Sequence, residues 1–161
     1  MTTSTVVRLA PGDWAELRDI RLRALADAPD AFAAVLADAQ AYDDEVWRER
    51  LATGNPTYVV REGGSAVAMA GGFAPDDSPE AFVWGMWTAP EARGRGHSGA
   101  LLEAVVTWAH DLGRVLHLHV TEGNDVARRL YVRRGFEPTG TWEPLREGSP
   151  LRVEELSLSR G

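Results

Sequence analysis

The residues Arg93, Gly94, Arg95, Gly96, His97, Ser98 and Gly99 combine, in one short run, the features that hold a phosphate. Three glycines let the backbone approach a ligand closely, and a helix starting behind them would present unpaired N–H groups and a partial positive charge. Arg93 and Arg95 add side-chain charge at the same place. Further along, Asn124 and Tyr131 stand seven residues apart, close to two helical turns, so a helix brings both to one side. His119 alternates with Leu118 and Val120, and its side chain therefore leaves the face that those residues bury. Imidazole, with an ordinary pKa of about 6.5, exchanges protons near neutral pH. His117 shares that strand face, but no third ligand follows at a suitable spacing, so no metal is expected.

Periodicity and turn signals give the elements that must position these groups. Residues 6–9 read as a first strand, and Asp13 followed by Glu16 is a capping-box signal for a helix carrying Leu17, Ile20, Ala24 and Leu25 inward, ended by Pro29. The alanine-rich residues 30–40 are ambiguous. Asp43 and Asp44 open a second helical pattern through Val46, Trp47, Arg50 and Leu51, closed by Gly54 and Pro56, and the helices form a flap after the first strand. Next come a hairpin, residues 58–61 and 66–73 around Gly63 and Gly64, a loop over 75–79 and a strand over 82–88. Beyond the glycine run, a helix opening near Leu101 carries Leu102, Val105, Val106, Ala109 and Leu112 at helical spacing until Gly113. Residues 115–121 are then a strand, Asn124 caps a helix stopped by Gly135, and residues 139–145 and 153–158 are closing strands. The order implies a mixed α/β sheet and not a regular βαβ alternation.

Composition narrows the classes. At 161 residues, with 44% hydrophobic and 25% charged, the chain is expected to form one domain, residues 1–161, with a core of ordinary size. No apolar run is long enough to span a bilayer, and residues 1–9 lack the basic-then-apolar layout of a signal peptide, so a cytoplasmic protein without a membrane partner is expected. The absence of cysteine removes disulfides, thiolate metal sites and any route through a cysteine nucleophile. A net charge of -7 serves solubility and argues against nonspecific nucleic-acid binding.

Fragments of other motifs occur in the glycine run. Gly94, Gly96 and Gly99 fit the spacing of a dinucleotide fingerprint, but residues 89–93 separate them from the preceding strand and too little chain follows for that fold. No Lys-Ser/Thr pair follows a glycine, which removes a Walker-type loop. Ser98 sits between Gly96 and Ala100 as in a nucleophile elbow, yet no strand ends at its first glycine. A plain turn needs one or two glycines and leaves the arginines without a purpose. A pyrophosphate loop remains.

With that loop the chain resembles the GCN5-related N-acetyltransferases. Their motif Arg/Gln-x-x-Gly-x-Gly/Ala is matched from Arg93 through Gly96 to Ser98, with serine in place of the last small residue. Their segment Asn-x-x-Ala-x-x-Leu-Tyr-x-x-x-Gly-Phe is matched by Asn124, Ala127, Leu130, Tyr131, Gly135 and Phe136. The resemblance covers nearly the whole chain by element order and is specific over residues 84–136. It implies a central, mostly antiparallel sheet with a parallel, splayed pair of strands 4 and 5 and flanking helices. It also implies acetyl-CoA as co-substrate, with Gly94, Arg95, Gly96, His97, Ser98 and Gly99 on the pyrophosphate beside Arg93, and Met86, Trp87 and Thr88 offering backbone groups to pantetheine and the acetyl carbonyl. Asn124 would contact the pantetheine arm, and Tyr131 would be the general acid at sulfur. In similar enzymes acting on protein N-termini a glutamate base stands twelve residues before the tyrosine. Here that position is His119, which could accept the amine proton directly or through water. The expected acceptor is a small-molecule, amino-acid or peptide amine, a homodimer stays open, and the rival function is an acyl-CoA sensor with little catalysis.

Overall fold

A computed structural model describes residues 5–159. The leader reading falls partly on residues 1–4, outside that range. Seven strands form one sheet: β1 (Thr5–Arg8), β2 (Thr57–Glu62), β3 (Ser65–Phe73), β4 (Glu80–Thr88), β5 (Val115–Thr121), β6 (Glu137–Pro144) and β7 (Arg152–Leu158). Their spatial order is β1-β2-β3-β4-β5-β7-β6, and every neighbouring pair is antiparallel except β4 with β5. The helices are α1 (Trp14–Asp27), α2 (Leu36–Ala41), α3 (Asp44–Ala52), α4 (His97–Asp111) and α5 (Asp125–Arg134). The ambiguous alanine-rich stretch thus resolves into a short 3-10 turn, Pro29–Ala31, and the brief helix α2.

Two residues of β3 show how the layers meet. Successive side chains of a strand face opposite sides of the sheet. A Cβ on Gly71 would lie 2.1 Å from the Trp84 indole, and one on Gly72 would lie 2.5 Å from Trp108 of α4. Both rings therefore pack so close to the backbone that only glycine leaves room for them. On the Trp84 side α1 buries Leu17, Ile20, Ala24 and Leu25, the residues its spacing predicts. α4 buries Leu101, Leu102, Val105 and Ala109.

The start of α1 departs from the sequence expectation. Asp13 and Glu16 form no capping box: Asp13 Oδ2 accepts the Ala10 amide at 2.8 Å and closes the preceding 3-10 turn, Pro11–Asp13. Glu16 instead takes a bidentate bond from Arg61 of β2, at 2.8 and 2.6 Å, a long-range partner that local spacing does not reveal. Asp43 does cap α3, accepting the Val46 amide at 3.2 Å. α4 begins at His97 and not near Leu101, because Gly96 at φ 81 turns the chain directly into the helix.

The parallel pairing is short. Glu80, Ala81 and Phe82 of β4 are in register with Val115, Leu116 and His117 of β5, and there the ladder ends. Gly85, at φ +67, puts a bulge in β4 where its register with β3 shifts between Met69 and Gly71. Past Phe82 the two strands part.

Candidate functional site

The splayed strands open a cleft of about 1210 Å³, lined from β4 by residues 83–88, from β5 by residues 118–121, by the glycine loop and by α5. Beyond Phe82, the edge of β4 that faced β5 loses its partner strand, so its backbone groups are available to an extended ligand. Met86, Trp87 and Thr88 all line this stretch.

The loop before α4 suits an anion. Gly94 and Gly96 both have φ 81, and nothing lies within 4 Å of where a Cβ would stand on Gly94, Gly96 or Gly99. Among the described residues, no amide from 94 to 99 donates to a backbone carbonyl, and α4 rises directly behind them. Free N–H groups at a helix start favour negative charge. Gly94, Gly96, His97, Ser98 and Gly99 all line the cleft.

The side chains of the loop do different work. Arg93 Nε donates to the Thr88 carbonyl at 3.0 Å and its Nη2 to Asp27 Oδ2 at 2.9 Å. Trp87 Nε1 donates to the same Asp27 oxygen at 2.9 Å. One carboxylate at the end of α1 therefore ties the end of β4 to the loop. Arg95 turns away from the cleft to pair with Glu62 Oε1, and the buried His97 meets Glu62 Oε2 at 2.9 Å. Arg95 first, and His97 second, hold the Glu62 carboxyl below the usual carboxylate range. Ser98 Oγ lies 2.9 Å from Thr88 Oγ1, a second stitch between loop and strand.

Asn124 and Tyr131 both line the cleft from α5. Asn124 Oδ1 accepts the Ala127 amide at 3.4 Å and so caps the helix, which leaves its amide nitrogen as the group for a ligand. Tyr131 is only 5% exposed and its ring lies edge-on to Phe136 at 6.1 Å. Burial pushes its phenol well above the usual range, so the hydroxyl keeps its proton.

His119 lines the same cleft on β5, its ring parallel to that of Phe82 at 6.3 Å. Its Nε2 is 3.0 Å from Glu143 of β6 and 3.5 Å from Glu155 of β7. Glu155 also stands 3.5 Å from His117, whose buried ring does not line the cleft. Glu143 and Glu155, like Asp27, Glu62 and Arg21, went unread in the sequence. The four carboxylates act through partners remote in the chain and Arg21 meets aromatic rings of other segments, so local spacing gives no signal for them.

The model of the acetyltransferase (GNAT) family matches residues 14–136, more than half of the sequence. The chain belongs to the GNAT acetyltransferase family. Solved structures agree in fold. A GNAT-family acetyltransferase from Streptococcus pneumoniae superposes with a TM-score of 0.81 at 20% identity, covering 96% of this chain and 98% of its own. The Salmonella typhimurium protein yncA, solved with its cofactor acetyl-CoA, gives 0.77 at 20% identity over 99% of this chain and 95% of its own. A ribosomal-protein-alanine N-acetyltransferase from Brucella melitensis gives 0.73 at 20% identity over 95% and 98%. No curated protein shows significant sequence similarity to the chain.

Proposed function

We propose that residues 1–161 act as one N-acetyltransferase domain that moves an acetyl group from acetyl-CoA to a primary amine by direct attack in a ternary complex. The observation that carries this reading is the row of uncommitted amides from 94 to 99, opening onto a cleft that continues between the parted strands to Tyr131 and His119. The open space above the three glycines suits a pyrophosphate, which a Cβ there would crowd. The free edge of β4 at Met86, Trp87 and Thr88 suits the amide-bearing pantetheine arm, with Asn124 opposite. A cytoplasmic setting belongs to the same reading.

Each residue then has a task. His119 takes a proton from the attacking amine, directly or through water, while Glu143 and Glu155 hold its ring and balance the positive charge it acquires. The N–C bond forms as the C–S bond breaks, and Tyr131, kept protonated by burial, gives its proton to the departing thiolate. No cysteine exists to carry the acetyl group, so an acetyl-cysteine intermediate is ruled out, in keeping with direct attack while both substrates are bound. The test is thiol release with a broad panel of amines, followed by mass spectrometry of the product. An acetylated amine supports the proposal, whereas coenzyme A binding without turnover on any amine assigns the cleft to a sensor.

A further inference from the structure

Among the described residues, Arg21 is a charge without a counter-charge. It projects from α1 into the lining of the cleft and is only 7% exposed. Its guanidinium carbon lies 5.0 Å from the ring centroid of Phe32 and 5.3 Å from that of Trp84. Nη1 is sealed from solvent and has no hydrogen-bond partner among the described residues. Among the described residues it forms no ion pair with a carboxylate; burial first, and Arg50 second, bring its pKa down to about 10.

Such an arrangement is costly, since an ion taken out of water needs a partner to offset its lost hydration. Scarcity does not explain the missing partner, because the chain carries 24 acidic residues against 17 basic ones. The aromatic rings steady the guanidinium plane but supply no acceptor atom. Nε and Nη2, which are not sealed in this way, also lack a partner among the described residues, and what fits that edge is a planar anion that takes two parallel N–H bonds, as a carboxylate does with arginine. Position narrows it further. Nη1 is 3.3 Å from where a Cβ on Gly85 would stand, directly under the bulge of β4 and one residue before Met86.

We infer that Arg21 binds a carboxylate of the acetyl acceptor, so that the acceptor is an amino acid whose carboxylate lies a few bonds from the amine that is acetylated. This rests on the acetyl-transfer reading above and names its substrate class. A Cβ on Gly85 would press on Met69 Cε at 3.2 Å as well as on the guanidinium, so the bulge glycine also sets the room available to Arg21.

The experiment compares the twenty proteinogenic L-amino acids with their amides as acceptors, each rate corrected for the fraction of free amine. The best amino acid should exceed its own amide at least 100-fold in kcat/KM. Arg21→Met should bring that ratio below 5, and Arg21→Lys, which keeps the charge but loses the planar fork, should hold it between the two. Equal rates for acid and amide in the natural protein, or a ratio untouched in both variants, overturn the inference. Thermal titration of the coenzyme A-loaded protein with the same acid and amide needs no turnover. Transfer to amides as good as to acids keeps the acetyltransferase reading and discards the role of Arg21. Stabilisation by the acid that Arg21→Met abolishes, without transfer to any amine, does the reverse. Should Arg21→Met fail to fold, the lysine variant and the titration still decide.

Discussion

At the scale of single residues, the proposed division of proton work between Tyr131 and His119 rests on how their surroundings differ. The phenol is enclosed beside Phe136, and burial raises its pKa further above neutrality. The imidazole is about a third exposed and touches two carboxylates. Tyr131→Phe should lower kcat by about 100-fold or more, the usual worth of a positioned acid, with the KM for acetyl-CoA held within about twofold. Steady-state kinetics would withdraw the role if kcat did not move while chemistry limits the rate. Because burial raises the phenol, its loss of a proton should leave no mark on the rate profile up to pH 10. His119→Ala should remove the rise of kcat/KM with pH that a base produces, since only its unprotonated form accepts the amine proton. An identical profile in the variant sends the base elsewhere.

Among elements, the clamp at Asp27 shows what local spacing conveys and what it leaves out. By charge and spacing alone Arg93 and Arg95 read alike, two cations flanking a glycine, although the family motif marks only Arg93. In the structure one braces the end of β4 against α1, and the other pairs with Glu62 outside the cleft. The partners lie far away in the chain, so no periodicity could separate the two arginines. The caps tell the same story, since Asp43 at α3 acts within its own helix while Glu16 at α1 answers to β2. Asp27→Ala removes acceptors from both Arg93 and Trp87. Allowing for the exposure of Arg93, it should cost about 1–2 kcal/mol of stability and weaken coenzyme A binding roughly 10-fold, one decade for each 1.4 kcal/mol. Unfolding and calorimetric titration read the two effects, and unchanged affinity would leave Asp27 a purely structural tie. The Glu62 tie has a pH signature. Its carboxyl is lowered in the folded chain, so its stabilisation is present above the unfolded carboxylate pKa and is lost as pH falls through the folded one. The stability difference between the natural chain and Glu62→Gln should therefore shrink below about pH 4.3, and a difference that persisted there would assign it to packing.

For the molecule as a whole, the element order was legible because each strand and helix carries its own period, and the glycine run and the segment from Asn124 to Phe136 carry family spacing. The insertion of β7 between β5 and β6 was not, nor was the way it brings Glu155 and Glu143 to His119. Strand neighbours are chosen by the packing of faces across the whole sheet. The cleft is likewise a product of topology: it exists because the parallel ladder stops at Phe82 and α4 and α5 border the opening. A ligand lying along that opening would touch loop, strands and helices together, and would stabilise the fold as a unit. Coenzyme A at about 100 times its dissociation constant should add about 2.7 kcal/mol. At about 2–4 °C per kcal/mol for a chain of this size, the melting temperature should rise by roughly 5–10 °C. NAD, which needs a glycine turn directly after a strand and a longer parallel sheet, should leave it unchanged. A shift with NAD equal to that with coenzyme A, or no shift with coenzyme A at saturation, would remove the pyrophosphate assignment of the loop and the acetyl-transfer proposal with it.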